Sequence, residues 1–225
     1  MYEYLIFTVV LFCVWLLLYY LRKDLHRHIL FSSFIALPLG LTEPFFFSSY
    51  WSPSSLFNLA EQTGFDLESL LFCFSVGGIA AVIYEALLQK HLLKAREKRD
   101  IAHRHVIFLV IFLIIFFVLF SFLFKAIIYT AIASMALGGL MIMLLRKDLI
   151  KETFIGGFLF LLLYFFVLFF VNTFIFPGWV SSTWNVDNLL GILILGIPIE
   201  ELLWAFTFGF LWAPLYEYLL GYTVH

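Results

Sequence analysis

Charge is what this chain has least of. Only 12% of its 225 residues are Asp, Glu, Lys or Arg, whereas a soluble domain carries about a quarter. So few charges cannot build a water-facing exterior, so lipid must be the solvent for most of the outer surface. The net charge of −2 gives no basic field for a polyanion, and nucleic acid is not an expected partner. Cysteine is nearly absent. Cys13 and Cys73 both lie in apolar runs, which reads as inert packing and excludes a disulfide framework. The start, Met1-Tyr2-Glu3-Tyr4, lacks the basic region of a cleavable signal, so the first apolar run is expected to remain as a span. No lysine follows Lys151, which excludes a retinal Schiff base in the last span.

What is present is apolar: 64% of residues are hydrophobic and 21% aromatic. A span needs about 20 apolar residues, and the runs predict seven, near 4–21, 29–48, 66–88, 106–124, 126–145, 153–176 and 196–220. Lys and Arg orient them. The segments after the first, third and fifth spans hold 12 of the 13 basic residues, and only Lys125 lies on the other side. The positive-inside rule then places the N-terminus outside and the C-terminus in the cytoplasm.

The chain also repeats itself. Arg22-Lys23-Asp24-Leu25 closes the first span and Arg146-Lys147-Asp148-Leu149 the fifth. Residues 64–88 align without gaps on 196–220, with 11 of 25 positions identical, among them Glu68/Glu200, Phe74/Phe206, Gly77/Gly209, Tyr84/Tyr216 and Glu85/Glu217. Trp51 and Trp184 occupy matching loops upstream. The expected fold is an all-α integral membrane protein of seven transmembrane helices. Two parallel three-helix repeats (1–89 and 126–225) are joined by a basic linker and linker helix (90–125). A site between parallel repeats is the default expectation.

Acids inside spans are the functional candidates, since insertion of one costs about 2.5–3.5 kcal/mol at the membrane centre. Glu68 and Glu200 lie roughly one turn inside spans 3 and 7, and Glu201 follows directly. Pro198 precedes the pair and is expected to break the chain just before the span, placing both acids in its first turn. Glu43, followed by Pro44, sits at the same depth and is open to joining them. Glu85 and Glu217 are 17 residues further on, about 25 Å at 1.5 Å per residue. They read as interfacial, paired with the basic linker, with Tyr84 and Tyr216 as belt residues. His26, His28, His91, His103 and His105 lie in basic loops, and no metal site is expected among them.

The combination Pro198-x-Glu200-Glu201-x-x-Trp204, its partner around Glu68 and the three-plus-one-plus-three plan resembles the membrane-integral lycopene cyclase domain family, found as two small subunits or one fused chain. In the first repeat Asp66-Leu67-Glu68-Ser69 stands where Pro-x-Glu-Glu would be. The resemblance implies redox-neutral cyclisation of an acyclic carotenoid end group. An acid protonates the terminal alkene, a neighbouring double bond attacks the tertiary cation, and a base removes a proton. On this reading Glu200, Glu201 and Glu68 are the acid–base residues, with Glu43, Trp204, Phe206, Phe208 and Phe74 around the polyene. Aromatic faces stabilise a cation, and water must be excluded to prevent its quenching. No cofactor is required. The partners are a membrane-embedded polyene and the lipid bilayer, and a homo-oligomer is compatible with the sequence.

A small-solute transporter of the same architecture is the alternative from another class, although matched Pro-Gln pairs are absent and the candidate groups are acidic. Another carotenoid or prenyl-lipid enzyme, such as a hydratase, is the nearer one. The topology is testable directly: cysteines placed at Lys94 and Ser181 are expected to label from opposite faces of the membrane in cells, and labelling from one face would remove the seven-span plan.

Overall fold

The computed structural model describes residues 2–94, 114, 118 and 127–224. Five helical stretches among them are long and apolar enough to cross a membrane: Glu3–Leu21, Lys23–Phe46, Leu67–Leu88, Ile127–Leu145 and Lys147–Ile175. Within these, α1 is Glu3–Leu21, α2 His26–Ala36, α3 Leu67–Leu88, α4 Ile127–Leu145 and α5 Ile150–Phe170. The helix that opens with α2 tightens into a 3-10 stretch, Leu37–Thr42, carrying Pro38, and ends in one α-turn, Glu43–Phe46, carrying Pro44. Each proline removes a backbone donor, which favours these short, changed geometries over one straight helix. The last apolar run is also broken. A two-residue hairpin, β2 (Leu193–Ile194) against β3 (Ile197–Pro198), leads into α6 (Ile199–Trp212), and the chain turns at Pro214 into α7 (Leu215–Leu220). The break before Glu200 and Glu201 is thus where Pro198 predicts it. The linker helix expected at 106–124 lies outside the described residues, apart from Ile114 and Val118.

Helix faces sort by solvent. Leu17, Leu21, Phe34, Leu144 and Phe166 point outward, as a lipid-facing surface requires, while Phe7, Leu11, Ile79 and Phe160 fill the centre. The helices approach closely where small residues meet. A Cβ on Gly77 would lie 2.2 Å from the Ala36 Cβ, and one on Gly209 would lie 2.8 Å from the Phe160 Cβ and 3.0 Å from the Gly157 Cα. Packing of this kind replaces the hydrophobic drive that lipid does not supply. Cys13 and Cys73 are free thiols, Cys13 on the outer surface.

The two Arg-Lys-Asp-Leu turns share one construction. The Arg22 guanidinium holds Asp24 in a fork (3.0 and 2.8 Å) and donates to the Lys90 and Glu85 carbonyls beyond the end of α3. Arg146 holds Asp148 (2.9 and 2.6 Å) and donates to the carbonyls of Tyr222 (2.8 Å) and Glu217 (3.4 Å). Each arginine thereby satisfies carbonyls that a helix C-terminus leaves open. Beyond them, β1 (Leu92–Lys94) pairs antiparallel with β4 (Tyr222–Val224). At the opposite end, the loop after Phe46 and the loop before β2 form two straps that also pair. Ser52 N donates to the Thr183 carbonyl and Asn185 N to the Tyr50 carbonyl, both at 2.9 Å, with the Trp51 and Trp184 rings 5.1 Å apart. The early and late parts of the chain are therefore joined by backbone hydrogen bonds at both ends of the bundle.

Replacing Gly209 by Val overfills the α5–α6 contact. It is expected to destabilise the protein by about 1–3 kcal/mol, read as a lower melting temperature in detergent. An unchanged melting temperature would show that this contact is not close-packed.

Candidate active site

Glu201 leaves the first turn of α6 and is buried. Three donors converge on it from three other segments. The Tyr50 hydroxyl (2.6 Å) and the Trp184 indole N–H (2.7 Å) donate to Oε1, and the Tyr164 hydroxyl (2.9 Å) donates to Oε2. Tyr50 and Trp184 come from the two straps and Tyr164 from α5, so one carboxyl group joins both straps to two helices. Burial first, and then the Glu201 carboxylate beside it, push the Tyr50 phenol well above its ordinary value, which keeps the phenol a donor.

A cavity of about 450 Å³ opens beside this group, within the range of small-molecule sites. Both Glu201 and Glu43 line it. Glu43 is buried next to the Ser69 hydroxyl and the Trp51 indole, and its Oε1 receives no hydrogen bond. The wall is otherwise aromatic. Phe72, Trp204, Phe208 and Trp212 stack in succession, with centroids 5.7, 5.2 and 4.9 Å apart and planes within 29° of one another. Tyr164 packs on Trp204 at 5.4 Å. Leu39, 40% exposed, also lines the cavity, so the wall reaches the lipid-facing surface.

The structure brings together Glu43, Glu201, Trp204 and Phe208 from the candidates nominated by sequence, and it places the others elsewhere. Glu200 Oε1 accepts from the Tyr129 hydroxyl (2.7 Å) and from the backbone N–H of Leu190 (2.8 Å). Glu68 Oε1 accepts from the backbone N–H of Leu56 (2.7 Å). These two repeat-related acids do the same thing: each holds its own strap to the first turn of the helix that follows. Neither lines the cavity. Phe206 stacks on Phe210 at 5.6 Å, and Phe74 packs on Trp15 and Phe34; both are also outside it. Sequence reasoning missed Tyr50 and Tyr164. Tyr50 stands one residue before the matched Trp51, which is the signal that pointed nearest to it, and nothing local marks Tyr164 among the aromatics of α5.

Membrane-spanning helices around an aromatic cavity, with buried carboxyl groups in its lining, define a multi-pass membrane protein fitted to an apolar ligand. The chain belongs to the lycopene cyclase family, whose model matches residues 2–87 and 126–219. That membership supports a carotenoid cyclase-like function. No curated protein and no solved structure matches the chain.

Since each donor to Glu201 comes from a different segment, the network is expected to be energetically coupled. A double-mutant cycle of Tyr164→Phe with Glu201→Gln, read by thermal unfolding in detergent, should give a coupling of about 0.5–3 kcal/mol. Additive single changes would mean that the bond contributes nothing to holding the site.

Proposed function

We propose that this protein is a lycopene β-cyclase-like enzyme, an intramolecular lyase of the isomerase class that closes a ring at the end of an acyclic carotenoid. The observation that carries the reading is the placement of two buried carboxyl groups with contrasting partners, Glu43 and Glu201, on one aromatic cavity. Glu201, which receives three donors, is fitted to stand as the anionic base. Glu43, whose Oε1 receives none, is fitted to be the proton donor, because a buried lone charge without partners is costly. Glu43 protonates the terminal alkene, and the tertiary cation that forms is attacked by the neighbouring double bond. Glu201 then removes a proton from the ring to set its alkene. One proton is given and one taken, so substrate and product are isomers and no electron is transferred.

The stacked Phe72, Trp204, Phe208 and Trp212 present ring faces where the positive charge develops. The paired straps close the cavity to water, which would trap the cation as an alcohol. Glu200 and Glu68 serve the reaction through position: they seat the straps that carry Tyr50 and Trp184. The membrane plan that accompanies this reading is the full one of seven helices. The stretch 106–124 restores the direction of the second parallel repeat, the N-terminus is outside and the C-terminus cytoplasmic. The matching Arg22 and Arg146 turns, and the matching roles of Glu68 and Glu200, support it.

The test is expression in a lycopene-accumulating bacterium followed by pigment analysis. The wild type is expected to convert lycopene to cyclised products. Glu201→Gln and Glu43→Gln should each lose about 10²–10⁴-fold in activity, the usual contribution of a general acid or base, with folded protein retained in the membrane. Glu200→Gln and Glu68→Gln still offer a carbonyl oxygen to the strap amides and should keep a larger share. Wild-type cyclisation by both Glu201→Gln and Glu43→Gln would refute the acid–base assignment. Lycopene left untouched by the wild type would refute the substrate.

A further inference from the structure

The other end of the bundle holds a second set of buried acids that the cyclase reading does not use. Glu85 at the end of α3, Glu152 in the first turn of α5 and Glu217 in α7 are each no more than 2% exposed. One oxygen from each lies within 4.8 Å of those from the other two. None of their six carboxylate oxygens has a hydrogen-bond donor. This departs from the sequence expectation for Glu85 and Glu217, which placed them at an exposed interface against the basic linker. The helix ends fold inward instead, and Arg22 and Arg146 bond the backbone carbonyls of these residues while their forks grip Asp24 and Asp148.

His28 supplies a second observation. Expected in a basic loop, it lies in α2 and is 1% exposed, with both ring nitrogens unpartnered. Its ring is fixed by stacking on Tyr216 at 4.1 Å, and Nδ1 points at Glu217 Oε1 from 3.7 Å. That is too long for a hydrogen bond and is a separation that two ligands of one cation can have. The carboxylate spacing fits the same centre, because ligands on opposite sides of a cation at about 2.0–2.4 Å are at most about 4–5 Å apart.

We propose that Glu85, Glu152, Glu217 and His28 form a divalent metal site. Three carboxylates and one imidazole are a mixed oxygen–nitrogen set, which favours Mn²⁺, Fe²⁺ or Zn²⁺ over the all-oxygen cages of Ca²⁺ and Mg²⁺. The ion binds four helices, α2 and α3 from the early part of the chain and α5 and α7 from the late part. Its role is to fasten that end of the bundle. It stands apart from the proposed cyclase site, since Glu68 and Glu85 are about 25 Å apart along α3, and the two proposals fail independently.

The experiment uses full-length protein purified in detergent, equilibrated separately with Mn²⁺, Fe²⁺ or Zn²⁺. The protein is freed of unbound metal by gel filtration and its metal counted by mass spectrometry. One of the three ions is expected to remain at about one per chain and to raise the melting temperature, as a ligand of the folded state must. Glu152→Gln and His28→Gln should each weaken retention by at least about tenfold, whereas Glu201→Gln should retain the ion. If Glu152→Gln does not fold, His28→Gln decides, since it removes a ligand without leaving an added charge. Folded wild type that retains none of the three ions overturns the proposal. Retention unchanged in His28→Gln places the metal elsewhere and overturns it equally.

Discussion

A carboxyl group buried among hydrocarbon needs something to bind, and most of this fold is arranged around where those partners come from. Glu201 takes its three donors from two loops and a helix far away in sequence. Each bond fixes a segment that nothing else in an apolar bundle would orient, because stacked aromatic rings and interdigitated aliphatics tolerate sliding while a 2.6–2.9 Å hydrogen bond does not. The cavity therefore owes its shape to the polar group within it. The stacked rings of α6 supply the wall, and the carboxylate determines which way that wall faces.

The parts of this arrangement that were legible in the sequence are those with a local cause. Hydropathy located the described spans to within a few residues, apart from the start of the helix carrying α2, and Pro198 gave the break that puts Glu200 and Glu201 in a first helical turn. The gapless alignment of 64–88 with 196–220 singled out Glu68 and Glu200 as equivalent, and they are: both hold a strap amide. Their equivalence did not reveal which acid faces the cavity. That depends on helix phase. Glu200 and Glu201 are about 100° apart around the axis, so two adjacent, chemically identical residues address different surroundings. Tyr50 and Tyr164 were invisible for the opposite reason, since their relation to Glu201 spans 151 and 37 residues. Glu152 was concealed by its neighbours Lys147, Asp148 and Lys151, among which an acid reads as ordinary loop polarity. His28 was concealed likewise beside His26 and Arg27.

Duplication and divergence are both visible in the comparison of Ser69 with Glu201. In the early part of the chain the residue after the strap-holding acid is Ser69, which meets the Tyr4 hydroxyl at 3.0 Å. In the late part it is the acid that faces the cavity. The two halves of the polar machinery are thus unequal: the first contributes Glu43, from a helix end tightened by two prolines, and the second contributes Glu201. An asymmetric pair is what acid–base chemistry on one substrate end requires, since two equivalent carboxyls would have no fixed division of labour.

The strands and straps that join early and late segments carry a consequence for how such a protein is inherited. β1 completes β4 at one end, and the Tyr50 strap completes the Asn185 strap at the other. Each half therefore displays unsatisfied backbone edges at both ends that only the other half matches. A peptide bond between the halves raises their effective concentration but adds no recognition. Recognition is already written in the edges, so a gene boundary placed between Lys94 and Ile127 would divide the chain without dividing the information that assembles it.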